Sequence, residues 1–532
     1  MPSTKKLLSI TNLKKYFPIA KSSIFQRQQY YVKANEDISL DIYEGETLGI
    51  VGESGCGKST LGRVLLQLYE QTAGTTMYYG MSRAELAPRY VTDTLRHAKR
   101  YISKLHAAQA RADAASAKVS QLGEAATFFD LQNKNLAVAE YQTAQAHIAK
   151  ILGGFLVRDT EQGAALLYRK ARLEERAAAL SDRIRDIELM LDEAEGGTAD
   201  DGKPANASQL ARLKGRCDRL TRERDGLNAQ IREAEQSIAA IKQAHRDDPE
   251  FQRYEAMLDD GIDLARLKYS EMRILRKDLQ IIFQDPYSSL NPRFTIGQII
   301  EEGLVTHKFF RHGSPKMREH VVRTMKDCGL QEYMLFRYPH QFSGGQRQRI
   351  SIARALAVHP KFVVCDECVS ALDVSIQSQI INLLQELKQK EHLTYMFISH
   401  DLSVVRYISD RICVMYLGNV VELADAATVF GDPRHPYTVA LLSSIPTTDM
   451  ESLKKERILL EGSIPSPVKP PDGCKFHTRC WMACDKCRRV PPPLAEIEPG
   501  HFVACHFPER KLDENGNYLF EMPKTEKKSA KE

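Results

Sequence analysis

No run of about 18 consecutive apolar residues occurs in this 532-residue sequence, so no segment is expected to cross a membrane as a helix. The first ten residues carry lysines but neither the apolar core of a leader nor a small-residue cleavage site, which argues against secretion. The net charge of +5 is small for this length, and no concentrated basic stripe stands out, so nucleic acid is not an expected partner. Apolar residues are not scarce. At 43% of the chain they can fill a sizeable core, and the length exceeds the roughly 100–200 residues of one ordinary domain. A soluble, intracellular protein is expected, one that reaches any membrane only by docking onto another subunit.

Cysteine is unevenly spread. Cys56, Cys217, Cys328, Cys365, Cys368 and Cys413 are scattered, whereas Cys474, Cys480, Cys484, Cys487 and Cys505 crowd one short stretch. In a reducing compartment such crowding favours metal over disulfide.

The texture changes along the chain and divides it into an α/β segment (1–81), a helical insertion (82–266), a second α/β segment (267–430), a Pro- and Cys-rich extension (431–510) and a charged tail (511–532) expected to be disordered. Short β-branched runs such as Leu48-Gly49-Ile50-Val51 and Phe362-Val363-Val364-Cys365 mark the α/β parts. In the insertion Leu166, Leu173, Leu180 and Ile187 recur by sevens, with Ile184 and Leu191 beside them. After a Gly/Pro/Asp-rich turn at 196–204, Leu213, Leu220, Leu227, Ala234 and Ile241 recur by sevens again, flanked by Leu210, Cys217, Ile231 and Ile238. Two heptad helices so joined predict an antiparallel coiled-coil hairpin, weakened where Arg224 meets the seam. The stretch 94–150 is helix-rich but less regular. The insertion reads either as a solvated decoration or as a docking arm.

Gly52-Glu53-Ser54-Gly55-Cys56-Gly57-Lys58-Ser59 fits the phosphate-loop pattern G-x-x-x-x-G-K-[ST], between an apolar run and a helix beginning near Thr60. Glycines let backbone N–H groups converge on phosphate oxygens at the positive end of a helix. Lys58 would reach the β- and γ-phosphates of ATP, and the Ser59 hydroxyl would bind Mg²⁺.

Further motifs follow in order. Gln284 ends the run 279–283. Phe342-Ser343-Gly344-Gly345-Gln346 precedes a helical run, Asp366 and Glu367 end a buried-strand pattern, Asp373 closes Ser370-Ala371-Leu372-Asp373, and His400 ends 395–399. Together with the phosphate loop this set resembles the ABC ATPase family: Q-loop, signature, Walker B, D-loop and switch histidine. The resemblance implies an α/β P-loop ABC ATPase domain, here with a helical coiled-coil insertion and a small Cys-rich C-terminal extension. Asp366 would hold Mg²⁺ with Ser59 and Gln284, Glu367 would act as general base on the attacking water, and His400 would bond the γ-phosphate. Phe17 resembles the ring that stacks on adenine, although Tyr16 could serve. Ser343, Gly344, Gly345 and Gln346 would complete the site of a second subunit in a head-to-tail pair.

Phe283-Gln284-Asp285-Pro286-Tyr287-Ser288-Ser289-Leu290-Asn291-Pro292-Arg293 and His435-Pro436-Tyr437-Thr438 look like segments of oligopeptide and dipeptide importer ATPases, as does 462–480. The run 369–377 looks most like the second ATPase of such importers. This implies a sister ATPase subunit, two transmembrane permeases, indirectly an extracytoplasmic peptide-binding protein, and a place at the cytoplasmic face of a prokaryotic membrane. Cys474, Cys480, Cys487 and Cys505 match that family's four cysteines, which implies a 4Fe–4S cluster; zinc, or unligated cysteines, are the alternatives, and Cys484 is extra. Cys368 stands where the family usually has proline. A coiled coil between phosphate loop and signature also resembles SMC-type DNA-associated ATPases, but 196–208 has no C-x-x-C hook and the importer motifs follow the insertion.

Overall fold

The computed structural model describes residues 4–21, 28–195, 207–310, 313–445 and 458–508. The turn expected at 196–204 and the tail expected at 511–532 lie outside them. The chain divides into two compact units, 1–72 with 275–532, and 73–274. Among the described residues no helix is long and apolar enough to cross a membrane.

The first unit is built on an eight-stranded sheet. Leu279–Ile282, Phe362–Asp366, Thr394–Ile398, Thr47–Val51 and Arg411–Tyr416 are neighbours in that order and all parallel. Every residue of the three central strands is buried, as expected of a parallel sheet covered on both faces. Their β-branched and aromatic residues suit that setting. Asn419–Asp425 turns back antiparallel to Arg411–Tyr416. Two strands of the 431–510 segment, His501–Val503 and Ala495–Glu498, then lengthen the sheet by antiparallel pairing. A separate antiparallel pair joins Lys6–Pro18 to Tyr31–Tyr43.

Ile282, Ile350, Val363, Leu384, Phe397 and Val414 are fully buried in one core. Each such side chain contributes about 1.5–3 kcal/mol through burial. Phe362–Asp366 and Thr394–Ile398 are in register with Leu279–Ile282 and Thr47–Val51, so the residues following Val51, Ile282, Cys365 and Ile398 emerge along one edge. Ligands bind at that carboxyl edge in open parallel sheets.

In the second unit, Ala73–Tyr78 pairs with Ile262–Asp263, so the chain leaves for its helices and returns beside the point of departure. Ala98–Leu122 and Phe128–Leu152 form one helical pair. The second helix starts at a capping box in which Thr127 Oγ1 accepts the Asp130 N–H and Asp130 Oδ2 accepts the Thr127 N–H. Leu105, Ile148, Leu152, Phe155 and Phe251 fill the core there.

Thr160–Glu195 and Ala207–Ala244 form the second pair. They run antiparallel, with Arg169 and Lys170 facing Glu233 and Glu235 at 3.7 and 3.0 Å. Leu173, Leu180, Ile184, Ile187, Leu220 and Leu227 are buried along the seam the sevenfold spacing marks. Leu166 and Ile241, at the base, instead join the Phe155 core, which roots the pair in its unit. Arg224 turns aside to Asp225 at 3.1 Å.

Candidate nucleotide site

The loop after Val51 is shaped by contacts that only glycine tolerates. A Cβ on Gly57, at φ +99°, would lie 2.1 Å from the Ala34 carbonyl, and one on Gly52 2.2 Å from the Met415 carbonyl. Lys58 begins the helix Lys58–Leu65, and its Nζ donates to the carbonyls of Gly52 at 2.8 Å and Glu53 at 3.1 Å. The ammonium is thus folded back over its own loop. Ser54 and Gly55 are exposed, Cys56 is buried and Thr60 half-buried.

Ser59 Oγ donates to Asp366 Oδ1 at 2.5 Å, joining the loop to the end of the strand Phe362–Asp366. Arg63 Nη2 holds the other oxygen, Oδ2, at 3.2 Å. Beside Asp366, the Glu367 carboxylate gathers the remaining candidates: Gln284 Nε2 donates to its Oε2 at 3.0 Å, and His400 Nδ1 lies 3.5 Å from the same atom. Glu367 adopts φ +48°, an unfavourable conformation for a non-glycine residue. Its N–H donates to the Ile398 carbonyl and its carbonyl accepts from Ser370, which pins the turn. Strain held in place at a strand end is a feature of functional sites. The hydroxyl of Ser59, the carboxylate of Asp366 and the amide oxygen of Gln284 are the hard oxygen donors that suit Mg²⁺.

Two residues competed for the adenine-stacking role. Tyr16 is buried and its hydroxyl donates to Glu36 Oε1 at 2.7 Å, so its ring is committed to the core. Phe17 is half-buried, edge-on to Tyr69 at 5.4 Å, with Lys15 Nζ 4.6 Å above its ring.

The signature residues stand apart. Ser343 caps the helix Gly344–Leu356 in a reciprocal box with Gln346, leaving Ser343 and Gly344 exposed at its positive end. Gly345 packs on the Ile376 side chain, which a Cβ would meet at 2.5 Å. Asp373 is exposed at the start of Val374–Glu391. Among the described residues no hydrogen bond or ion pair links these five to residues 52–60.

Sequence reasoning missed the residues that hold the phosphate loop from the far end of the chain. Glu53 is gripped by Arg479 through two bonds of 2.8 and 3.0 Å, and the Tyr437 hydroxyl accepts the Glu53 N–H at 2.8 Å. Tyr437 follows His435, whose Nδ1 accepts the Tyr437 N–H at 3.1 Å. Full burial pushes the His435 imidazole down to about 4, so it is neutral and free to accept. Glu422 anchors the far side, accepting the N–H groups of Arg434 and His435 and pairing with His501 at 2.8 Å. Burial alone would raise its carboxyl, but these bonds outweigh it and hold the group below its usual range. The sequence signals were the His435-Pro436-Tyr437-Thr438 run and the 462–480 segment that contains Arg479.

The expected metal centre on the extension is not formed as a coordination group: among the described residues no three His, Cys, Asp or Glu side chains are placed to hold a metal ion. Instead Cys474 N–H donates to the Cys487 carbonyl at 2.8 Å, and a thiol contact of 3.7 Å joins Cys487 to the extra Cys484. Burial pushes Cys480 up to about 12 and Cys505 up to about 11, and each also feels Cys474 and Cys487, so the four share one neighbourhood. Under the nucleotide site, Cys368 is buried against Cys365; that thiol–thiol bond, then burial, pushes Cys365 well above its ordinary range.

Comparison with known proteins gives two family matches. A model described as "ABC transporter" matches residues 35–155 and 253–370, and one described as "Oligopeptide/dipeptide transporter, C-terminal region" matches 421–487. The break between the first two spans contains the long antiparallel helix pair. Two relatives from Bacillus subtilis (strain 168), YkfD and AppF, are named for oligopeptide transport as ATP-binding proteins. YkfD is 53% identical over 248 residues, 46% of this chain and 75% of its own length. AppF is 52% identical over 254 residues, 47% and 76%. A Brucella ovis relative named for peptide import is 52% identical over 247 residues, 46% and 77%.

Proposed function

Because this chain belongs to the ABC transporter family of ATP-binding proteins, with the C-terminal region of the oligopeptide/dipeptide branch, we propose that it is the ATPase subunit that powers peptide import. The observation that carries the reading is the convergence of Gln284 and His400 on Glu367, directly after an Asp366 already bonded to Ser59.

In this reading the Gly52–Thr60 backbone and the Lys58 ammonium bind the triphosphate. Lys58 gives up its two carbonyl partners for phosphate oxygens. Ser59, Asp366 and Gln284 are the residues that would hold Mg²⁺, which neutralises charge on the phosphates. Glu367 takes the proton from the attacking water, and Gln284 and His400 hold its carboxylate and the γ-phosphate in line. Phe17 takes the adenine ring. Ser343, Gly344, Gly345, Gln346 and Asp373 face a sister ATPase subunit, where the exposed helix end meets that subunit's phosphate. Closure on ATP and reopening after hydrolysis would move two permeases at the cytoplasmic face of the membrane, with a peptide-binding protein supplying the solute outside. No observation favours the DNA-associated alternative.

Lys58→Ala is expected to weaken ATP binding at least about tenfold, or 1.4 kcal/mol, in a direct titration of the purified chain. Unchanged affinity would remove the phosphate loop from the account.

Two finer readings accompany it. The pair Thr160–Glu195 and Ala207–Ala244 is a coiled-coil arm, supported by its buried heptad seam. Cys474, Cys480, Cys487 and Cys505 ligate a 4Fe–4S cluster, supported by four thiols in one neighbourhood. Protein purified without oxygen is then expected to carry about four irons per chain with matching labile sulfide. Iron-free protein of full ATPase activity would sink that reading.

A further inference from the structure

The second unit contains a cleft of about 550 Å³ that the mechanism above does not use. Its ten lining residues include five cations, Arg89, Arg96, Arg172, Arg266 and Lys268, against one carboxylate, Asp93. They come from the helix Arg89–Arg96, the long helix Thr160–Glu195 and the return segment near 266, so no basic run is visible in the sequence. The volume lies in the roughly 300–1,000 Å³ range of small-molecule sites.

Neighbouring groups set these charges in place. Arg266 donates through Nη1 to the His147 carbonyl at 3.0 Å and through Nη2 to Thr94 Oγ1 at 2.9 Å, and its guanidinium lies 4.4 Å over the Tyr90 ring. Asp263, the charge that acts most strongly on Arg266, also lies 3.2 Å from His147 and accepts the Ala265 N–H. Buried Glu271 accepts the backbone N–H groups of both Arg89 and Lys268 at 2.8 Å, which fixes those two residues side by side while their exposed side chains stay out of its reach. Arg96 donates to the Tyr168 hydroxyl, and Arg172 pairs with Glu175. Asp93 is occupied by the Tyr101 hydroxyl at 2.5 Å and lies 3.8 Å from His97. Among the described residues no carboxylate lies within 4.0 Å of the charged nitrogens of Arg89, Arg96, Arg266 or Lys268. Five cations against one lining carboxylate raise the local potential and favour a multiply charged anion. Tyr101 and Tyr168 also line the wall, with Lys104 Nζ 5.6 Å over the Tyr101 ring and the Arg96 guanidinium 5.3 Å over the Tyr168 ring, so a base would have to take the opposite face of either ring.

We propose that this cleft binds a nucleoside phosphate, its phosphates on Arg89, Arg266 and Lys268 and its base against Tyr101 or Tyr168. It would be a second nucleotide site, built wholly from residues 89–268. A compact cavity with cations converging from three segments fits a small ligand better than the extended basic track a nucleic-acid strand requires.

The test uses the full chain with Lys58→Ala, which weakens the phosphate loop, titrated calorimetrically with ADP, GDP and inorganic pyrophosphate. The expected result is one saturable mononucleotide site, weakened at least tenfold when Arg89→Gln and Lys268→Gln are added and weakened further by salt. Both added substitutions are at exposed side chains, so the fold is kept, and circular dichroism on the same samples checks it. Mononucleotide binding that is absent, or unchanged by the two substitutions, overturns the proposal. So does pyrophosphate binding as tightly as ADP, or a single-stranded oligonucleotide outcompeting both.

Discussion

Replacing Glu367 by Gln is expected to lower ATP turnover by about 10²–10⁴-fold, the usual contribution of a positioned general base, while ATP still binds. Gln keeps the length and shape of the side chain and an oxygen that can accept from Gln284, so the 3.0 Å contact survives. What disappears is the ability to take a proton. The φ of +48° and the bonds to Ile398 and Ser370 belong to the backbone, so the turn is retained. With hydrolysis blocked, ATP should hold the variant in the closed pair with its sister subunit, visible as a larger species in size-exclusion chromatography with ATP and absent with ADP. Single-turnover rates equal to wild type would move the base elsewhere, and His400, 3.5 Å from the same oxygen, would be the next candidate. The two variants then separate: Lys58→Ala loses affinity for ATP, whereas Glu367→Gln keeps affinity and loses turnover.

How much of this was legible in the sequence follows from how local each requirement is. The phosphate loop was legible because backbone N–H groups can converge on phosphate only through a short glycine-rich turn between strand and helix, so residues 52–59 announce themselves together. Asp366 and Glu367 were legible because they end a buried apolar run. The heptad seam was legible because period seven survives in the side chains themselves, and the structure buries Leu173, Leu180, Leu220 and Leu227 as that period requires. The grip of Arg479 on Glu53 was not, because the two are 426 residues apart and neither motif around them says which side chain it will meet. The added strands were hidden for a different reason. Ala495–Glu498 is exposed at three of its four positions at a sheet edge, so it has no buried face to impose alternation. Tyr16 engages Glu36, a contact across two strands that adjacency in the sequence does not show.

The Lys475–Glu36 contact has the same long-range character. Lys475 Nζ donates to Glu36 Oε2 at 2.8 Å, to the Leu417 carbonyl at 3.0 Å and to Asn419, so one ammonium joins the Cys-rich segment to Tyr31–Tyr43 and to the turn before Asn419–Asp425. The two side chains are only 15% and 13% exposed. Burial drives the Glu36 carboxyl upward, but Lys475, Lys33 and the Tyr16 hydroxyl outweigh it and hold the group far below its ordinary value of 4.5. Lys475→Met keeps the stem and removes the charge, leaving a buried carboxylate with weaker compensation. The expected cost is about 3–5 kcal/mol in denaturant unfolding at pH 7. Adding Glu36→Gln should restore much of it, because the stranded charge is then gone. The sign of the pH effect follows from linkage: a carboxyl depressed in the folded state stabilises above its unfolded value, and that contribution is lost as the pH falls below about 4.5. The gap between wild type and Lys475→Met should therefore narrow on acidification. A gap independent of pH, or a double variant no more stable than the single one, would mean that the stem of Lys475 and not its charge holds the extension in place.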